Sequence, residues 1–319
     1  MREDLWRVFS SVLGLTAIAC FVFAGRAAAQ AAGAQSAGPP QQPEFVSEGQ
    51  KLARDGKLDE ALALYKKVLQ TSPESIAANN GMGVVLDFMG RYKDAQKFLQ
   101  RAIDVAENPQ DKAVAQRTMA MSYPFEGNCK NASAYEQKVF DYWASLGKHF
   151  FEQGETANEA GRVCIDAGDL DAAEKWYRKG HDIGLQEPDI KPDRVDLWEF
   201  RWEHAQARLA ARRGNAAEAQ KHVAAAKAVL DKGTNPQQAP FFPYLEGYVA
   251  FYSGDYTTAL IALQKANQND PFIQCLMAQA YEKLGNKEQA AAFYKKAATT
   301  TAHNPAGAYA RPLATKKIS

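Results

Sequence analysis

Five histidines, four cysteines and one run of arginines are the residues of this 319-residue chain whose types could do chemistry. His149, His181, His204, His222 and His303 are scattered, without the short helical spacing that aims two imidazoles at one metal ion. Gly81-Met82-Gly83 opens like a dinucleotide-binding loop, but no third glycine follows at the required place, and Gly83 has a packing role described below. No phosphate-binding loop or nucleophile elbow occurs. Asp169 and Asp171 stand where a helix begins, and there carboxylates satisfy free amides and the helix dipole. The expectation is therefore a chain with no catalytic residues, no metal site and no cofactor, and not an enzyme. A net charge of +1 argues against nucleic acid as a partner. What remains is suited to binding. Arg201, His204, Arg208 and Arg212 recur every three or four residues, on one helical stripe. Phe241, Tyr244, Tyr248, Phe251 and Tyr252 form a second, aromatic stripe. Arginine and tyrosine dominate interface hot spots through planar hydrogen bonding and large rigid contact area.

The elements that must carry these stripes show themselves as a repeat. Gly56-Lys57-Leu58-Asp59-Glu60-Ala61 parallels Gly168-Asp169-Leu170-Asp171-Ala172-Ala173, and each is followed four residues later by a tyrosine, Tyr65 or Tyr177. The same glycine-to-alanine step of five recurs at Gly90/Ala95, Gly127/Ala132, Gly214/Ala219, Gly254/Ala259 and Gly285/Ala290. A glycine that accepts positive φ ends one helix, and a small residue one turn into the next lets the pair approach closely. A second small residue stands seven positions before each glycine: Gly49, Gly83, Ala120, Gly161, Ala207, Gly247 and Ala278. Leu52, Leu86, Tyr123 and Tyr281 supply bulk between them, and polar positions complete an amphipathic pattern. With Ala, Leu, Lys, Glu and Gln frequent and β-branched runs scarce, the fold class is all-α.

This pattern resembles the tetratricopeptide repeat, in which units of about 34 residues form paired antiparallel helices. The resemblance implies an α-solenoid of about seven helix-turn-helix units over residues 43–304, wound as a right-handed superhelix, with residues 305–319 as a tail that either caps the array or stays loose. The first unit, with Phe45 and Pro73, and the last, with Met277, Tyr281, Tyr294 and Ala297, match well; the third, fifth and sixth are degenerate. Pro124 is expected to bend or shorten the third unit's first helix, and insertions near 147–153, 188–199 and 234–239 lengthen connections. In the family the first helices line a concave groove. The Lys/Asn/Arg clamp for a terminal carboxylate known there is missing, since Val46, Gln50, Gly81, Val114 and Thr118 occupy the corresponding places. The Arg201/His204/Arg208/Arg212 stripe and Tyr244, Tyr248 and Tyr252 would lie side by side in the groove of units five and six, and would hold a protein or peptide segment of acidic and apolar character. Phe241 and Phe251 are read as core ahead of Tyr244 and Tyr248. Stacked units would also bring Cys129 and Cys164 close, so a disulfide between them is one alternative and three packed thiols (with Cys275) the other.

Upstream, Val8 to Ala24 is apolar and Ala27-Ala28-Ala29 follows, so residues 1–29 read as a cleaved signal peptide or, alternatively, as a membrane anchor. Residues 30–42 are a spacer rich in Ala, Gln and Pro. The function expected is an exported interaction scaffold, periplasmic or secreted, touching a membrane only through an uncleaved leader. The second reading is an assembly factor that captures clients transiently.

Overall fold

The computed structural model describes residues 43–319; the leader and spacer lie outside the described residues. The described chain is a run of helices joined by short turns: α1 Glu44–Arg54, α2 Leu58–Thr71, α3 Ile76–Phe88, α4 Tyr92–Asp104, α5 Pro109–Ser122, α6 Cys129–Ser145, α7 Phe150–Ala167, α8 Leu170–Gly184, α9 Pro192–Arg212, α10 Ala216–Asp231, α11 Phe242–Tyr252, α12 Tyr256–Leu263, α13 Pro271–Lys283, α14 Lys287–Ala298 and α15 Pro305–Ile318. Among the described residues there is no strand. Seven antiparallel pairs, α1/α2 through α13/α14, form the units. No described helix is long and apolar enough to cross a membrane.

The glycine and alanine positions do what their spacing demands. Gly56, Gly90, Gly127, Gly168, Gly214, Gly254 and Gly285 all have φ between 67° and 89°, the left-handed conformation that closes a helix. The residue after each donates its N–H five residues back, as Asp169 does to the Cys164 carbonyl at 3.0 Å. In five units that residue is Asn or Asp and also caps the next helix: Asn128, Asp169, Asn215, Asp255 and Asn286 each accept an amide with the side chain. One glycine-plus-Asx pair thus ends the first helix and starts the second. The alanines at the second position of close approach, such as Ala61, Ala95 and Ala173, have no exposed surface. At Gly161 an added Cβ would lie 2.9 Å from the Tyr177 ring, so the ring takes the volume that a side chain would need.

Departures from the regular unit have local causes. Pro124 cannot continue α5, which ends at Ser122 and passes into a 3-10 turn over Tyr123–Glu126 that buries Phe125. The connection before α11 is fastened rather than loose: Lys232 and Thr234 both reach Asp196 on α9, at 2.6 and 2.9 Å. Cys129, at the start of α6, and Cys164, near the end of α7, are joined as a disulfide with Cα atoms 4.9 Å apart, and Cys275 is a buried free thiol.

Residues 305–318 form a helix, and it does more than cap. Ala310 and Ala314 of α15 pack on Cys275 and Ala278 of α13, as an eighth unit's first helix would. Its other side reaches back to the early units. Ala308 is buried against Phe88 of α3 and Phe125 of the 3-10 turn, and Arg311 Nε donates to the Phe88 carbonyl at 2.8 Å. Just before it, His303 Nε2 lies 2.8 Å from Asp87 Oδ2, while Ser122 Oγ donates to the other Asp87 oxygen at 2.9 Å. The array therefore curls until its last helix meets its second and third units, and the inner face becomes an interior.

Candidate interaction site

The first helices of the units carry the inner face, so α7, α9, α11 and α13 position the two stripes. Arg201 on α9 pairs with Glu155 of α7 and lies over the Trp198 ring at 5.1 Å. One turn on, His204 is held between the Phe200 and Tyr244 rings, at 5.8 and 5.6 Å. Burial first, and then the charges of Arg208 and Arg162, hold its imidazole well below the usual pKa, so it is neutral. Arg208 is 5% exposed; its Nη2 donates to the Tyr177 hydroxyl at 3.0 Å and its Nε to the His204 carbonyl at 3.3 Å. Arg212 donates to the Ile165 carbonyl at 2.8 Å and lies over the Tyr252 ring at 5.0 Å.

The aromatic stripe of α11 interleaves with these groups. Tyr248 has no exposed surface and its ring stacks 6.2 Å from Phe272; Tyr244 meets the same Phe272 edge-on at 5.9 Å. Tyr252, 4.6 Å from Tyr248 between ring centroids, is partly exposed.

Two expectations need correction here. An open basic strip beside an open aromatic strip is not what the chain builds: Arg208, Tyr244 and Tyr248 are buried, because the curl brings α7 across from α11 and α13. The Arg162 guanidinium of α7 lies 5.6 Å from the Tyr244 ring and 4.2 Å from Phe272, which closes the space a groove would occupy. The core ranking holds for Phe251, which is buried, but not for Phe241, which is only partly buried while Tyr244 and Tyr248 are buried.

Sequence reasoning passed over Arg162 and Asp166 of α7, Phe272 of α13 and Tyr309 of α15, and read Tyr177 of α8 only as a marker of the repeat. Arg162 Nε donates to Asp166 Oδ2 at 2.8 Å, and Tyr309 packs on Phe272 with centroids 4.8 Å apart. A signal existed for the first two. Arg162 follows the small residue Gly161 as Arg208 follows Ala207 and Tyr248 follows Gly247, and Asp166 is one turn further on, as Arg212 and Tyr252 are. The same positional rule applied to the fourth unit selects them. Nothing local marks Tyr309.

Similarity to known proteins agrees with this architecture. Two family models, each described as a tetratricopeptide repeat, match residues 52–120 and 273–303. The chain contains tetratricopeptide repeats. Its fold resembles the apo form of RapI (TM-score 0.51, 13% identity, covering 86% of this chain and 97% of that one). It is also similar to a tetratricopeptide repeat protein from Parabacteroides merdae ATCC 43184 (TM-score 0.47, 16% identity, covering 80% of this chain and 91% of that one). At these identities the likeness concerns fold alone. No curated protein matches the sequence. Such an array is an interaction scaffold, because stacked units offer an extended surface to a partner.

Proposed function

We propose that this chain is an exported scaffold that holds an acidic and apolar segment of a partner protein against its inner face, with the partly exposed Arg201, His204, Arg212 and Tyr252 as the receiving residues and the buried Arg208, Tyr244 and Tyr248 as the support beneath them. The observation that carries the reading is α15. A helix already lies across the inner side of the early units, buried through Ala308 and held by Arg311, so that surface is one that accepts a helix. A partner segment would take the inner face when α15 swings away. Export is supported by the apolar leader ending in Ala27-Ala28-Ala29 and by the Cys129–Cys164 bridge, since disulfides persist in oxidising compartments.

Affinity purification of the full chain from its native host, followed by mass spectrometry, tests this. Ala308→Glu should dislodge α15 and raise capture of one stoichiometric partner above wild type; adding Arg212→Ala should lower it again. Equal capture by Ala308→Glu with and without Arg212→Ala would remove the array from the reading. Many substoichiometric clients in place of one companion would favour a transient assembly factor.

A further inference from the structure

The contact that closes the array has a buried carboxylate at its centre. Asp87 of α3 is 1% exposed and accepts a hydrogen bond from Ser122 Oγ of α5 at 2.9 Å. Its other oxygen lies 2.8 Å from Nε2 of His303, in the connection into α15. The imidazole is itself buried, stacked on Phe125 with centroids 5.5 Å apart and edge-on to Phe88 at 6.0 Å. The remaining charged and titratable groups around the pair do not neutralise Asp87. Glu126 of the 3-10 turn is a second negative charge and repels it, while Lys93 of α4 pairs with Glu126 at 3.2 Å. Tyr92 of α4 is a phenol that burial, then Asp87 and Glu126, keep protonated. Arg311 of α15 lies over the Phe88 ring at 5.2 Å and donates to the Phe88 and Thr300 carbonyls. An ionised Asp87 beside a neutral imidazole would therefore leave net negative charge in the interior next to Glu126, which is unfavourable. A proton on the pair, at Oδ2 or Nε2, removes that charge and keeps the contact. Burial accordingly raises the Asp87 carboxyl above its ordinary range, with the hydrogen bonds from His303 and Ser122 opposing it.

We propose that the Asp87–His303 pair is a proton-operated latch: docking of α15 on the early units is favoured by a proton held there, and rising pH loosens the helix and exposes the inner face. With α15 released, Asp87 meets water and ionises as an ordinary carboxylate, near pH 4. With α15 docked, the carboxyl keeps its proton to higher pH. The latch's contribution is then fully present below about pH 4 and is lost as pH rises through the raised value of the docked state. Between those two values each pH unit multiplies the open-to-closed ratio by about ten, the slope for one proton, and above the upper one the ratio levels off. The inference rests on the reading that α15 covers the binding face, but closure can be measured without a partner protein.

The test is hydrogen exchange by mass spectrometry on the full chain from pH 4 to pH 8. Each rate is divided by that of the free peptide at the same pH, so that only opening is read. Protection of α15 should fall relative to α8 as pH rises, by about tenfold per pH unit within the window, and then level off. Asp87→Asn can donate to one partner and accept from the other without titrating, so its α15 protection should no longer fall with rising pH. Ala308→Glu unseats α15 without touching the pair and should give low protection throughout. Glu136→Gln removes the other buried carboxylate and should leave the α15 profile in place. The proposal is overturned if wild-type α15 protection changes by less than about twofold across the range, or if Asp87→Asn shows the same fall. Should circular dichroism show Asp87→Asn to be misfolded, the profiles of wild type and Glu136→Gln decide it: a fall that disappears in Glu136→Gln assigns the proton to Glu136 and overturns the latch. A working latch with no partner captured in the purification above would leave this inference standing and remove the scaffold reading. Partner capture with a flat α15 profile would do the reverse.

Discussion

Reducing the Cys129–Cys164 bridge should destabilise the protein by an amount that follows from where the bridge sits. The two residues are 35 apart, linking the start of α6 to the last turn of α7 and so tying the third unit to the fourth. Closing a loop of that length removes unfolded-chain entropy of about 12.7 cal/mol/K, or about 3.8 kcal/mol at 25 °C. With roughly 2.1 cal/mol/K of unfolding entropy per residue, that corresponds to a fall of about 6 °C in the melting temperature of a chain this long. Because repeats are stabilised by contacts with their neighbours, amide exchange should quicken most in α6 and α7. The assay is circular-dichroism melting of wild type with and without reductant, paralleled by exchange mass spectrometry. Alkylation under native, unreduced conditions should leave Cys129 and Cys164 unmodified. The reasoning is refuted if both cysteines alkylate without reductant, or if the oxidised and reduced proteins melt within about 1 °C of each other.

Three further outcomes follow from packing and charge. Gly161→Ala places a Cβ 2.9 Å from the Tyr177 ring and should cost about 1–3 kcal/mol in urea unfolding, whereas Ala at an exposed position of the paired helix, as in Lys175→Ala, should cost little. Glu136 is fully buried with neither oxygen hydrogen-bonded, and burial, reinforced by Glu159 and opposed by Arg117, raises its pKa well above 4.5. The folded state then holds a proton that the unfolded chain releases above about pH 4.5, so stability falls as pH climbs from there towards the folded pKa. Glu136→Gln should flatten that slope and stabilise the protein at neutral pH; an unchanged pH profile in denaturant melts would contradict it. Ala308→Glu should release α15, seen as loss of up to 14 residues' helical signal and a larger radius of gyration by X-ray scattering. An unaltered scattering curve would show that the array stays closed without that contact.

The pairing of helices was legible because its causes are local. Gly168 and Asp169 end α7 and start α8 through their own φ and side chain, and Ala173 and Gly161 set the approach of the pair within a dozen residues of that turn. Pro124 likewise announces the end of α5. The inner-face stripe was legible as a set of residues, since Arg208 and Tyr248 hold corresponding places in consecutive units. Their environment was not legible. Whether an inner face stays open depends on how small rotations between units accumulate, and that sum is carried by many contacts, none of which marks the sequence.

The closure illustrates the division. Nothing near His303 or Asp87 in the chain hints that the two will meet at 2.8 Å, 216 positions apart, with Phe88 and Phe125 enclosing the imidazole. The amino-acid order by itself determined the seven units, their turns, their small-residue seams and the arginine and tyrosine stripes. Only the tertiary structure decided that the stripes face inward on Arg162 and Phe272, that α15 returns to the early units, and that Arg208 is buried without a counter-charge. The physical reason is range: helix ends and pair packing are settled by neighbours within about one repeat, whereas curvature and burial are settled by the whole stack.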